Sequence, residues 1–292
     1  MAETPNVARA AGVTLSSFDW GWRVKENSIR KAVREGRAAL GTGLKEFASR
    51  GVPRIIENSG FDYCMIDMEH GAFDMETIAD LAAWFAATEI SPIVRLHKSF
   101  IHLIPGILDQ GIMGIQISDV DTAEEARAIV QLAKYPPIGN RGISQVGPHT
   151  GYKSYGGRYH AEYSPWANDN IILCPSIESL EGLKNVEEIA AVEGIDMIAY
   201  GHSDLSAKLG VHLQLEHPRF KEAMRKIIDA CKKNGKLARG SAETEDQIEE
   251  YYKLGCKVLN LPGTDTSTYL DGLRARASRA HARLKSIGVR TP

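Results

Sequence analysis

Residues 61–74 read FDYCMIDMEHGAFD, and the order of residue types within them decides how the chain folds. An apolar run, Tyr63 to Ile66, leads directly into Asp67, Glu69 and His70, and then into Gly71. A continuous apolar run marks a strand covered on both faces, as in a parallel sheet flanked by helices. Such sheets collect their chemistry where the carboxyl ends of the strands emerge, so ionisable groups placed directly after a buried run point to a strand end that carries function. A solvated Asp-x-Glu-His turn at a strand end is also common, so the rest of the chain has to decide between the two.

Working outward, further apolar runs recur at residues 38–44, 92–96, 114–118, 171–178, 197–201, 236–240 and 258–262. Between and around them, apolar residues at helical spacing occupy 27–35, 52–58, 75–87, 101–110, 122–133, 180–191, 218–234, 243–254 and 266–286. With 63–68 this makes eight strands, each followed by a helix. Strands alternating with helices imply right-handed βαβ units and a parallel sheet, and eight such units close into a barrel. The expectation is an α/β fold, a (β/α)8 TIM barrel, formed as a single domain by residues 25–292. Residues 1–24, with Phe18, Trp20 and Trp22 around Asp19, read as an N-terminal arm that packs on a neighbouring subunit or across the barrel bottom. The spacing breaks once, between Tyr135 and Asn170, where Gly, Pro, Tyr and Ser crowd a long connection. Connections of that length are usually functional or disordered, and the aromatic residues here favour an ordered one. The terminal helix, with LRARASRAHARL, presents a basic face that reads as solvated.

Bulk properties narrow the function. With 292 residues, 43% hydrophobic and 25% charged, the chain suits one large soluble domain. A net charge of −2 gives no electrostatic footprint for nucleic acid or for an anionic membrane. Cys64, Cys174, Cys231 and Cys256 are widely separated with no C-x-x-C spacing, which fits reduced thiols in the cytoplasm. No apolar run reaches the roughly 18 residues of a spanning helix, and MAETPNVARAAG at the N-terminus has no export signal.

The strand ends supply the candidate chemistry: Asp67, Glu69 and His70 after the second strand, Arg95 at the end of the third, Gln116 and Ser118 on the fourth, Ser176 and Glu178 on the fifth, and His202, Ser203 and Asp204 after the sixth. Glu178 and Asp204 are two carboxylates able to hold a hard divalent cation together with water and substrate oxygens. Arg95 can stabilise a developing negative oxygen, and an Asp67–His70 pair can accept a proton. At residues 201–210, GHSDLSAKLG reads as a loop entering a helix, with Ser203 or Asp204 as its cap and backbone N–H groups suited to a carboxylate such as that of pyruvate. Taken singly, a strand-end Arg is more often a structural ion-pair partner and a strand-end Glu more often a helix cap; it is their combination that favours catalysis.

The segments FDYCMIDMEHG, PIVRL, DTAEEARAIVQLAKYPPIGNRG, WANDN, SIESLEGLKNVEEIAAVEGID and YGHSDLSAKLG, in this order, resemble the HpcH/HpaI aldolase family, the class II pyruvate aldolases. The resemblance covers nearly the whole chain after about residue 25. It implies a barrel that exchanges its last helix with a neighbour in a homo-oligomer, a hexamer or trimer, and a divalent cation, Mg, Mn or Co. It also implies His70 as the base activating a metal-bound water, with Asp67 as its partner, Arg95 as the oxyanion-stabilising group, and Glu178 and Asp204 as metal ligands. The departures are Ser176 where the family usually has Gln, His202 and Ser203 where it has Pro and Ala, and Ser118 and Asp119 where it has Pro and Met. They imply a more polar pocket, with Ser176, His202, Ser203 and Asp204 at the substrate, Ser118 and Asp119 adding donors and acceptors, and an added hydroxyl or carboxylate on that substrate. The expected activity is cleavage of a 4-hydroxy-2-oxo acid to a pyruvate-type keto acid and an aldehyde. The alternatives are an oxaloacetate-type decarboxylase, including a macrophomate-synthase-like enzyme, and a non-catalytic keto-acid-binding barrel. A CoA-ester lyase is disfavoured by the lack of a basic nucleotide-binding stretch.

Overall fold

The computed structural model describes residues 25–291, and the expected N-terminal arm, residues 1–24, lies outside the described residues. Eight parallel strands close into a barrel in sequence order: β1 (Ala39–Leu44), β2 (Tyr63–Asp67), β3 (Ser91–His97), β4 (Gly114–Ser118), β5 (Ile172–Ile177), β6 (Met197–Tyr200), β7 (Leu237–Ser241) and β8 (Val258–Thr264). The helices are α1 (Ser28–Arg34), α2 (Val52–Asn58), α3 (Met75–Phe85), α4 (Ile104–Asp109), α5 (Ala123–Ala133), α6 (Ser164–Asn170), α7 (Leu180–Ala190), α8 (His202–Lys208), α9 (Pro218–Lys233), α10 (Glu245–Leu254) and α11 (Asp265–Ser286). The expected barrel is therefore present, with each strand within a few residues of the run that announced it.

Helix starts follow side-chain chemistry. Asp74 accepts from the backbone N–H of Thr77 at α3, Ser179 from Gly182 at α7 and Thr244 from Gln247 at α10, each satisfying a donor that the helix leaves unpaired. At α5, Thr122 and Glu125 form a reciprocal capping box. The helix expected over 101–110 begins later, at Ile104, after a 3-10 stretch from Lys98 to Leu103, because Pro105 is best placed in a first helical turn.

Two apolar layers result. Outside the sheet, Ile66, Leu96, Ile115, Ile117 and Ile198 meet the buried faces of the helices. Inside it, Tyr63, Ile93, Ile172, Cys174, Met197 and Val258 pack with Ile29 and Ala32 of α1, which plugs the amino-terminal end. Asn27 fastens that plug, donating from its side chain to Met113 O at 2.9 Å and from its backbone to Asn170 Oδ1 at 2.7 Å. With the bottom filled, open volume remains at the carboxyl ends of the strands.

The long connection is ordered, as its aromatics suggested. Tyr135, Tyr159 and Tyr163 are buried and pack against one another at ring-centroid distances of 4.9 to 6.2 Å. Buried Arg141 lies 4.8 Å from the centre of the Tyr135 ring and pairs with Asp109 at 2.6 Å. The segment folds into short turns and α6, a seven-residue helix too short to show periodicity in sequence. It flanks the barrel and contributes no residue to the cleft described below. All four cysteines are buried and free. Among the described residues no helix is long and apolar enough to cross a membrane.

Candidate active site

The carboxyl ends of the strands surround a cleft of about 440 Å³, lined by Glu69, His70, Arg95, Gln116, Ser176, Glu178, His202, Ser203, Asp204, Arg239 and Asn260 among others. Asp67 lies directly behind it. The structure thus brings His70, Arg95, Ser176, Glu178, His202, Ser203 and Asp204 to one cleft.

Asp67 and Arg95 are register partners on β2 and β3. Their side chains meet in a two-pronged ion pair, with Arg95 Nε donating to Asp67 Oδ1 at 3.0 Å and Nη2 to Oδ2. Asp67 Oδ1 also accepts from the backbone N–H of Glu69 at 3.0 Å and of His70 at 3.2 Å. Burial pushes the Asp67 carboxyl up, but the hydrogen bond and charge of Arg95 outweigh it and the net shift is downward. The expected Asp67–His70 side-chain pair is not formed, because Asp67 is already saturated by Arg95 and the turn it caps. The carboxylate nearest the His70 imidazole is instead Glu69, at 3.9 Å, and the ring is well exposed at the rim. Glu69 is also 3.4 Å from Arg95 Nε and accepts from Ser118 Oγ at 2.6 Å.

That last contact revises the reading of the fourth strand end. Ser118 is committed to Glu69, while Asp119 takes a left-handed backbone (φ 59°) and faces Lys98 at 3.5 Å. Lys98 gathers Asp121 at 2.7 Å and Glu125 at 3.2 Å as well. Neither Ser118 nor Asp119 lines the cleft, so these two departures brace the loops and do not widen the polar surface offered to a ligand.

Glu178 is a largely buried carboxylate of the site. Burial raises its carboxyl to about 7, the charges of Glu69 and Asp204 push the same way, and Ser176 and Arg95 oppose them. Ser176 Oγ is close enough to favour ionised Glu178, yet it is buried with no well-formed hydrogen bond. Gly201 is required beside this carboxylate, since a Cβ there would lie 2.8 Å from Glu178 Cδ. From Gly201 the chain turns into α8, and Gly201 itself, not Ser203 or Asp204, is the capping position. Ser203 and Asp204 lie within the first turn, where no side chain caps the helix. His202 faces the cleft 3.8 Å from Glu243, and burial lowers its imidazole.

Among the described residues no three of His, Cys, Asp and Glu gather to hold a metal ion. Glu178 and Asp204 nevertheless fit a Mg-like ion, which one or two carboxylates hold while water and substrate complete the octahedron. A buried carboxylate crowded by two others is the environment that such a cation relieves.

One cleft residue gave no motif in the sequence. Arg239, in LARGS on β7, is 5% exposed and points into the barrel. A lone cation among small residues of a strand was the available signal, and it is weak until the strand is known to face inward on that side.

The family model "HpcH/HpaI aldolase/citrate lyase" matches residues 48–271. A hydroxypyruvate/pyruvate aldolase of Deinococcus radiodurans is 36% identical over 264 residues, 88% of each chain. A 2-keto-3-deoxy-L-rhamnonate aldolase of Salmonella gallinarum is 31% identical over 86% of this chain and 91% of its own. The crystal structure of an HpcH/HpaI aldolase from Desulfitobacterium hafniense superposes with a TM-score of 0.79 at 27% identity, covering 90% of this chain and 99% of that one. On the barrel, the cleft and these matches together, the chain belongs to the HpcH/HpaI aldolase/citrate lyase family.

Proposed function

We propose that the chain is a divalent-cation-dependent aldolase, a carbon–carbon lyase that cleaves 4-hydroxy-2-oxo acids to a pyruvate-type keto acid and an aldehyde and joins them in reverse. The observation that carries this reading is buried Glu178 beside Asp204 in a cleft where the nearby guanidinium of Arg95 is already held by Asp67. Glu178 and Asp204 would hold Mg, Mn or Co. Such an ion, when bound, supplies Lewis-acid polarisation of the 2-oxo group.

The chain's own residues do the rest. Arg95 is fixed by Asp67 along one edge, and no hydrogen bond among the described residues engages its Nη1, which is free to face the oxygen that gains charge as the C3–C4 bond breaks. Asp67 is then a positioning residue for Arg95. His70, at the rim, takes the proton of the 4-hydroxyl through a water, with Glu69 beside its ring. The uncapped backbone N–H groups at Ser203 and Asp204 receive the keto-acid carboxylate. Relatives are named hydroxypyruvate/pyruvate aldolases, and the Ser176 hydroxyl beside Glu178, with His202, gives the cleft groups that a 3-hydroxyl can bind, so hydroxypyruvate is a candidate donor alongside pyruvate.

The working form is a cytoplasmic homo-oligomer, a hexamer or trimer, that exchanges its last helix between neighbours. What supports this is α11, whose residues Thr268 to Ser286 are exposed although Tyr269, Leu270, Leu273 and Leu284 are apolar.

The test is proton exchange at the methyl group of pyruvate in deuterated water, followed by NMR. Exchange is expected with Mg, Mn or Co and is expected to stop on chelation. Exchange that persists without metal, or fails with all three ions, overturns the reading.

A further inference from the structure

At the seam where the barrel closes, β8 and β1 do not run in step. Gly41 pairs with Asn260 and Gly43 with Thr264, so an advance of two residues on β1 (41 to 43) meets one of four on β8 (260 to 264). The surplus includes Pro262, which has no N–H to give a ladder, and Gly263, whose φ of 88° is foreign to a regular strand. Irregularities of this kind re-aim side chains at barrel rims and beside active sites. Here the residue that follows is Asp265, and its carboxylate takes over where the ladder lapses. Oδ1 accepts from the backbone N–H of Lys45 at 3.0 Å, and Oδ2 from those of Glu46 at 2.9 Å and Phe47 at 2.5 Å. Successive backbone N–H groups make an anion-binding concavity, and hydrogen bonds to an ionised acceptor are about twice as strong as neutral ones. Phe47 adds an edge-on contact to the Tyr269 ring of α11 at 5.6 Å.

What the carboxylate holds is the start of the loop after β1, and that loop backs the turn that carries Asp67, Glu69 and His70. A Cβ at Gly71 would stand 2.9 Å from the carbonyl oxygen of Lys45 and 2.1 Å from that of Asp67. The turn is thus closed on itself on one side and set against Lys45 on the other. Lys45 serves both neighbours, its N–H on Asp265 and its carbonyl against Gly71. His70 depends on this backing. Its ring is exposed at the rim, and among the described residues no hydrogen bond engages the ring nitrogens; only its backbone N–H is tied, to Asp67 Oδ1 at 3.2 Å. A side chain without an anchor of its own goes where its backbone goes. Glu178 and Asp204, in contrast, follow β5 and β6, strands that pair with neither β1 nor β2.

We propose that Asp265 is a positioning residue for the catalytic turn: by fixing residues 45–47 it sets the wall on which Gly71 rests, and with it the place from which His70 meets the substrate. The inference rests on the aldolase reading, in which His70 moves the proton of the 4-hydroxyl, and it adds a carboxylate that does not itself line the cleft. Asp265 therefore acts on the rate of the proton-transfer step and not on binding. A reacting group displaced by about 1 Å costs roughly a hundredfold in rate, while the ion and the head of the keto acid stay held from the far side of the barrel.

The experiment follows cleavage of 4-hydroxy-2-oxopentanoate by the full chain with Mg. In Asp265→Ala, kcat is expected to fall about tenfold to a hundredfold, while KM, and the Mg affinity read by titration calorimetry, stay within about twofold of the parent. In a His70→Gln background the same substitution should cost no more than about twofold, since no base is left there to misplace. A loss of kcat that persists in full without His70, a loss that falls on KM or on Mg affinity, or a kcat equal to the parent's overturns the proposal. Should Asp265→Ala fail to fold, Asp265→Asn, which keeps the shape and loses the charge, is judged by the same cycle. One readout needs no turnover: by NMR the ring signals of His70, assigned by their loss in His70→Gln, should move in Asp265→Asn while those of His149, in the long connection, stay. His70 signals that move in a chain whose parent shows no cleavage defeat the aldolase reading alone, and His70 signals that stay put defeat the positioning role.

Discussion

Glu178 sits where a carboxylate does not ionise readily, and this gives its metal chemistry a pH signature. Its carboxyl, pushed by burial from 4.5 to about 7, must lose its proton before a cation can take its place. Below about pH 7, affinity for Mg or Mn should therefore fall about tenfold per pH unit, and it should level off above. The folded value lies above the unfolded one, so in the metal-free protein this group lowers stability as pH rises from 4.5 to about 7, and the cost persists at higher pH. Titration calorimetry should find close to one proton released per ion at pH 6 and little at pH 8; Glu178→Gln should abolish both the release and the strong binding. Arg95 makes a second case at this scale. Arg95→Lys keeps the charge but not the fork that grips Asp67, and turnover should drop roughly a hundredfold or more. A double-mutant cycle can tell whom Asp67 serves: Asp67→Asn should couple to Arg95→Lys and combine additively with His70→Gln, whereas coupling to His70 would restore the pairing that the motif suggested.

At the scale of elements, what could be read from the sequence was set by burial on both faces. β2 announced itself because Tyr63 to Ile66 are all buried and charges begin abruptly at Asp67; β5 and β6 did so for the same reason. The strand ends therefore bring Glu178, Arg95 and Asp204 to one cleft. What escaped were features that depend on tertiary register. Arg239 gains its meaning only from Tyr63 and Met65, 176 and 174 residues earlier in the chain, and Ser118 turns toward Glu69 for reasons no local pattern carries. Short α6 and α8 leave no 3.6-residue signature, and so Ser203 and Asp204 read as caps when they lie within the first turn, after Gly201. Gly41 tests the tertiary dependence directly. Gly41→Ala forces a methyl group into the Tyr63 ring, and thermal or denaturant unfolding should register a loss of about 1–3 kcal/mol, typical of overpacking. A neutral outcome would mean that the ring swings away freely, in which case the hold on Arg239 is loose.

For the molecule as a whole, α11 sets the assembly question. A 22-residue helix with no buried side chain lacks the tertiary packing that usually stabilises helices, and a groove beside it collects Phe47, Val52, Ile55, Tyr269 and Leu273. Replacing Leu270 and Leu273 together by Glu should reduce the mass seen by light scattering toward that of the 32.0 kDa chain, and a mass unchanged from the parent would place the subunit contacts elsewhere. The four cysteines described with the fold carry a practical consequence of another kind. Cys174 lies inside the barrel, Cys64 on the outer face of β2, Cys231 on α9 and Cys256 just before β8; all are buried, and burial holds the thiols of Cys174, Cys231 and Cys256 up at about 12 and pushes Cys64 up as well. An alkylating reagent at neutral pH meets neither an accessible sulfur nor a thiolate until the wall around it opens. The chain thus carries four unlabelled tripwires in separate layers, and the order in which mass spectrometry finds them modified during slow heating would chart which part of the barrel comes apart first.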